Sequence, residues 1–289
     1  MVGVVRSFFL HLRVPFQLVL SPIFLWGALF GPQRDERLLL GWLIFHLLLG
    51  STATVFNSYF DRDQGPIAWL RQPPPVSRSD LIIALLLQFI GLLASLTIGT
   101  AFTCLYLALM AVSFVYSHPS VRLKARPIAG LLLVFVAHGG GAFAAGYLSA
   151  GGAIDLLFAF PRWIALAAAM VLVGGLFPLT QVYQIEEDRS RGDRTFPVRY
   201  GWRKAFFVSG TGFLIGSCLA ALALFARGAR IDAAIVGSGS LVELAQLRVW
   251  ARRFALNSSR QNHDEMARFT AGSALLFGTL ILIRLFVAP

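Results

Sequence analysis

Asn57-Ser58-Tyr59-Phe60-Asp61-Arg62-Asp63-Gln64-Gly65 and, far downstream, Gln184-Ile185-Glu186-Glu187-Asp188-Arg189-Ser190-Arg191-Gly192-Asp193-Arg194-Thr195 are the two stretches on which the reading of this chain turns. Together they hold six of the 14 acidic residues in a chain of 289, so a scarce residue type is concentrated in two places. In each, two polar side chains stand four apart: Asn57 with Asp61, and Gln184 with Asp188. If a helix runs through both members of a pair, they share one face.

Each stretch follows a long apolar run. The chain is 57% hydrophobic and 13% charged, where an ordinary soluble domain carries about 25% charged residues. A water-soluble globule is therefore excluded, and the length is better counted in membrane spans of roughly 20 residues. Apolar runs bounded by charge, Pro or Gly predict an all-α polytopic membrane protein, a single unit over 1–289. About nine transmembrane helices are expected, at 15–31, 38–57, 80–98, 100–116, 127–148, 162–182, 205–226, 231–250 and 268–287. The 231–250 run is the least apolar, with Asp232, Glu243 and a Gly-Ser-Gly-Ser segment at 237–240. The first 30 residues lack the pattern of a cleaved secretory signal, so the N-terminal segment is expected to be retained. Cys104 and Cys218 both lie in apolar runs and imply neither a disulfide framework nor a metal site.

The formal net charge is +11, and all but two of the 25 basic residues are arginine. With nine spans, 19 of those 25 fall on the side that holds the N-terminus and both acidic stretches. The positive-inside rule makes that side cytoplasmic and puts the C-terminus on the opposite side. Topology thus accounts for the basic excess, and with no soluble basic domain a nucleic-acid partner is not expected.

Oxygen donors on two opposed helix faces suit a hard cation. Mg²⁺ keeps several waters and completes its shell with substrate phosphates, using one or two carboxylates, so two sparse acidic stretches fit a diphosphate bridged to protein by metal. Between them in sequence, Tyr116-Ser117-His118-Pro119-Ser120-Val121-Arg122-Leu123-Lys124-Ala125-Arg126 places three cations within five residues. Those cations suit phosphate oxygens. Taken singly, each stretch also fits a plain helix end or a basic flank. Within spans, His46 and His138 read as packing residues, and Arg13 as either a phosphate contact or an interfacial anchor.

At these three stretches the sequence resembles the UbiA superfamily of intramembrane prenyltransferases. The family carries an Asn-x-x-x-Asp-x-x-x-Asp motif after its second helix, a Tyr-Ser-x-x-x-x-Arg-Leu-Lys type loop after its fourth and an Asp-x-x-x-Asp motif after its sixth. Asn57 to Gly65, Tyr116 to Lys124, and Gln184 to Asp188 stand in that order at the matching helix ends. The resemblance implies transfer of an isoprenoid chain from a prenyl diphosphate donor to a hydrophobic acceptor, aromatic or lipid-like, in the lipid bilayer with Mg²⁺ as cofactor. It implies Asn57, Asp61, Asp188 and Gln184 as metal ligands, with Asp61, Asp188 and Tyr116 catalytic. Arg122, Lys124 and Asn57 would bind the donor's diphosphate, and Tyr116 would face the allylic carbon.

Two positions depart from the pattern: Gly65 replaces the last Asp of the first motif, and Gln184 the first Asp of the second. Asp63 and Glu187 are the candidate replacements, though neither stands on the expected helix face. Two other activities compete with prenyl transfer. One is phosphoribosyl transfer onto a polyprenyl phosphate; the other is a non-catalytic lipid-diphosphate binder or transporter.

Overall fold

The structure, a computed structural model, describes residues 2–287. Among them, eight helices are long and apolar enough to cross a membrane. These are α1 (Arg6–Leu29), α2 (Glu36–Asp61), α3 (Arg78–Ser95), α4 (Thr100–Ser117), α5 (Pro127–Ser149), α6 (Arg162–Ser190), α7 (Trp202–Ala226) and, last in the chain, α9 (Ser259–Phe286). Between α7 and α9 runs α8, Arg230–Arg253. Extended pairing among the described residues is limited to one bridge between Ile67 and Leu70.

The expected span at 231–250 is thus a helix, yet too polar to qualify on apolarity alone. Its contacts show where it runs. Near its start Asp232 is buried and accepts from Arg284 Nη2 at 2.8 Å, at the far end of α9. Near its end Trp250 Nε1 donates to Asn262 Oδ1 at 3.0 Å, close to the start of α9. Those two contacts stretch α8 over the same height as its neighbours, and the ion pair offsets the cost of a carboxylate in an apolar bundle.

Other helix ends follow local chemistry. A reciprocal capping box between Ser77 and Asp80 opens α3, and another between Ser258 and Gln261 opens α9. The second starts α9 nine residues before the expected boundary at 268. Its polar first turns are held by protein instead of ending the helix: Arg71 Nε donates to Asp264 Oδ1 at 3.0 Å, and Asn262 is buried.

Helix packing is tight where side chains are small. A Cβ placed on Gly146 of α5 would stand 1.7 Å from the Phe24 carbonyl oxygen of α1, and one on Gly27 1.9 Å from that of Phe143. Small residues at both helices let the backbones meet. Trp26 of α1 lies fully buried there, donating to the Ala165 carbonyl of α6 at 3.0 Å.

Four spans are irregular inside: α1 breaks at Leu12 and Arg13, where Arg13 takes a left-handed backbone with φ of 47°. The turns Leu43–Gly50 of α2 and Phe135–Gly140 of α5 are widened π-helical turns, a feature frequent at functional sites. Pro178 interrupts the hydrogen bonding of α6. A short tight turn, Val182–Gln184, follows before helix resumes at Ile185–Ser190.

Candidate functional site

A cavity of about 290 Å³ opens at the end of the bundle where α2, α4 and α6 stop, and descends between α1, α2, α4, α5 and α6. Its upper wall carries all four predicted metal-ligand positions, Asn57, Asp61, Gln184 and Asp188. Helix α2 continues through Asn57 and ends at Asp61, because Arg62 adopts a left-handed backbone with φ of 52°. Asn57 and Asp61 therefore share the face that meets the cavity. The second pair differs: Gln184 sits in non-helical geometry just before Ile185–Ser190, so it reaches the cavity from the tight turn and Asp188 from the helix.

The basic loop closes over the first pair. Lys124 Nζ donates to Asn57 Oδ1 at 2.9 Å and contacts Asp61 Oδ2 directly. Ser117 Oγ donates to the same Asn57 oxygen at 3.0 Å. Arg122, also left-handed with φ of 46°, grips Asp193 with Nε to Oδ1 at 2.9 Å and Nη2 to Oδ2 at 2.8 Å. Its Nη1 lies 3.3 Å from Asp61 Oδ1. The bond to Asp193 is the main reason the Arg122 guanidinium is held above its ordinary pKa. Burial alone would push the Asp193 carboxyl up, but Arg122, with Lys124 and Arg191 nearby, holds it below the usual aspartate value.

Asp188 is buried and shared between Thr195 Oγ1, which donates to Oδ2 at 3.0 Å, and Arg191 Nη2, which donates to Oδ1 at 2.8 Å. Arg191 also contacts Asp63 Oδ1 and donates to the Asp61 carbonyl at 3.2 Å. Burial opposes the Arg191 charge, yet its bonds to Asp63 and Asp188 outweigh that and raise its pKa. The departure at Gly65 has a structural account here. Glu187 turns to the first motif's loop and accepts from Gln64 N at 2.7 Å and Gly65 N at 3.2 Å. A Cβ at position 65 would stand 2.5 Å from Glu187 Oε2, so glycine makes room for a carboxylate lent by the other motif. Asp63 gives its Oδ1 to Arg191, and both Glu187 oxygens are taken by the loop.

Deeper, the wall turns apolar. Tyr116 lines the cavity with its ring 6.4 Å from that of Phe177. Leu20, Ile23, Leu109, Val134 and Val173 continue the surface. Arg13 is buried and donates from Nη2 to Ser58 Oγ at 2.6 Å, which makes it a cavity residue and not an interfacial anchor. Both histidines of the widened turns front the cavity too. His46 Nδ1 lies 3.4 Å from Gln17 Oε1. Sequence reading missed Arg191, Asp193 and Thr195 as site residues. Their signal was their place in the second acidic stretch, which counted Asp193 among the six clustered acids but also fitted a solvated face.

Whether these residues suit Mg²⁺ is decided by their donor chemistry. Asp61 Oδ1 is buried and accepts no hydrogen bond, with Arg122 Nη1 3.3 Å away; Gln184 adds a neutral side chain on the same cavity, and Asn57 an oxygen that here accepts from Lys124 and Ser117. Among the described residues no three His, Cys, Asp or Glu side chains converge tightly enough to hold an ion alone. A donor set of that kind fits Mg²⁺ that takes its remaining ligands from diphosphate and water.

The UbiA prenyltransferase family model matches residues 20–273. Among solved structures, a UbiA homolog from Archaeoglobus fulgidus bound to GPP and Mg²⁺ superposes with a TM-score of 0.71 at 20% identity, covering 96% of this chain and 99% of that one. The apo structure of a UbiA homolog from Aeropyrum pernix K1 gives 0.70 at 18% identity, covering 94% and 98%. A structure described for digeranylgeranylglyceryl phosphate synthase gives 0.64 at 14% identity, covering 99% of each chain. No curated protein matches in sequence.

Proposed function

The chain belongs to the UbiA prenyltransferase family, and from that premise we propose that it moves an isoprenoid chain from a prenyl diphosphate to an aromatic or lipid-like acceptor. One observation carries the reading. A single cavity joins oxygen donors from two motifs and the cations Arg13, Lys124 and Arg191 at one end to an apolar wall that runs down between the spans. A polar head that wants metal and arginine, attached to a greasy tail, matches both ends. That a homolog of the same fold holds GPP and Mg²⁺ supports this donor class.

In this reading Asn57, Asp61 and Asp188, with Gln184, hold Mg²⁺, which when bound neutralises charge on the departing diphosphate. Arg122 and Lys124 grip the phosphate oxygens. The bond between the allylic carbon and the diphosphate oxygen breaks, and its electron pair leaves with the diphosphate. The acceptor's nucleophilic atom bonds to that carbon and gives up its proton. Tyr116 presents its ring to the allylic carbon as positive charge develops. The side carrying the motifs is cytoplasmic by its basic excess.

The test is Mg²⁺-dependent release of pyrophosphate by protein in nanodiscs, given prenyl diphosphates of several lengths with membrane lipid extract as acceptor source. Asp61→Ala and Asp188→Ala should each lower release by about a hundredfold or more, while the variants still elute as folded protein. Near-normal release in either defeats the ligand assignment. A wild type that retains the donor but releases nothing identifies a binder without chemistry.

A further inference from the structure

We infer that His138 is the base of the transfer: its imidazole takes the proton that the acceptor's nucleophilic atom gives up as that atom bonds to the allylic carbon. The inference rests on the prenyl-transfer reading above and adds where the proton goes.

The first observation is how α5 presents the ring. Ile128, Leu132 and Val136 are exposed on the outer face of α5. His138, two residues past Val136, stands on the opposite side, where it lines the cavity with Val134, Ala137 and Ala142. It belongs to the widened turn Phe135–Gly140, and the next residue anchors that turn: a Cβ on Gly139 would stand 2.6 Å from Met170 Cα of α6. The backbone is thus pressed against α6 while the His138 ring is left exposed. An ionisable side chain inside a span that meets a cavity marks a functional group.

A second observation is that the ring is uncommitted. Among the described residues nothing hydrogen-bonds or ion-pairs with His138, whereas His46 is buried and meets Gln17 Oε1. The carboxylates on the same cavity are held by cations: Asp61 by Lys124 and Arg122, Asp63 and Asp188 by Arg191, and Asp193 by Arg122. Asp61 and Asp188 are, in the reading above, also the ligands of Mg²⁺. A neutral imidazole keeps one nitrogen with a free lone pair. Among the described cavity residues, His138 is therefore the side chain left to receive a proton.

Its position suits the chemistry. Val134 packs with Val173 and Phe177, and Tyr116 lies against that cluster. His138 follows Val134 by four residues, one turn of α5 or about 6 Å along the helix axis, on the side away from the acidic motifs. An acceptor head set between the Tyr116 ring and His138 meets the allylic carbon on one side and the base on the other. The acceptor atom bonds to the allylic carbon, and the bond from that carbon to the diphosphate oxygen breaks with its electron pair on the diphosphate. The acceptor's proton passes to the imidazole nitrogen.

The experiment separates proton transfer from binding. Protein in nanodiscs is given a radiolabelled prenyl diphosphate, Mg²⁺ and membrane lipid extract, and label carried into extract-dependent product is measured beside retention of the donor on the protein. His138→Ala should lower transfer by about a hundredfold or more with donor retention unchanged. Added imidazole, which fits the space alanine leaves, should restore much of that transfer and leave wild type unchanged. His138→Gln, which fills the space and has no basic nitrogen, should lose transfer similarly and gain nothing from imidazole. Near-normal transfer in either variant overturns the inference, as does a loss in His138→Ala that imidazole does not restore. Should His138→Ala not fold, transfer by His138→Gln with donor retained decides. A wild type that transfers no label refutes the prenyl-transfer reading itself, a failure seen before any variant is compared.

Discussion

Asp193 shows how much one residue of this site depends on its partner. Both of its oxygens are bound by Arg122, and its carboxyl is held below the ordinary aspartate value. A depressed folded-state pKa adds stability that is fully present above the unfolded value of about 4 and is lost as pH falls through the folded value. Asp193→Asn should therefore lower the melting temperature at pH 7 by a few degrees, corresponding to about 2 kcal/mol for hydrogen bonds to a charged group. The variant should also show a flatter loss of stability below about pH 4. Thermal melts of both proteins in detergent across pH check this, and equal acid slopes would remove Asp193 from the account. At the same scale, Gly65 and Gln184 are readable only in pairs: Gly65 makes sense beside Glu187, and Gln184 only once α6 is seen to break before it.

Elements meet through their smallest residues. The α1–α5 contact leaves no space for a side chain at Gly146, where a Cβ would stand 1.7 Å from a backbone oxygen that has nowhere to go. Gly146→Val should force the two helices apart, cost about 3 kcal/mol or more and sharply reduce the yield of folded protein. By contrast Gly237 of α8 has nothing within 4 Å of an added Cβ. Gly237→Ala should leave stability unchanged or raise it by up to about 1 kcal/mol, since alanine favours helix over glycine. Fluorescence-detected size-exclusion of both variants after a heat step reads the difference, and a heat-stable Gly146→Val would show that the contact is slack. Because α5 carries the cavity-lining His138 and α1 carries Arg13, this packing also fixes the distance across the site.

Over the whole molecule, the path of α8 decides which side each terminus occupies. Asp232 pairs with Arg284 at one end and Trp250 bonds Asn262 at the other, so α8 is expected to cross as a ninth span. With Cys104 and Cys218 replaced, single cysteines at Gly228 and Ser258 should react with a membrane-impermeant thiol reagent from opposite faces of sealed vesicles. In the orientation proposed above, position 258 should label from the face that carries the basic excess. Labelling of both from one face would mean that α8 does not cross.

By itself the sequence determined the all-α membrane architecture, the order of spans and the two acidic stretches. Apolar run length and scarcity of charge are local properties that bilayer solvation reads directly. Asn57, Asp61, Asp188, Arg122, Lys124 and Tyr116 could be picked out because four-residue spacing and position at helix ends survive in one dimension. Only the tertiary structure decided that Arg191 joins both motifs, that Glu187 serves the loop at Gly65, and that Arg13, His46 and His138 front one cavity. Each of those depends on side chains brought together from spans far apart in sequence, and an arginine in a basic flank looks the same on paper whether it faces water or two buried carboxylates.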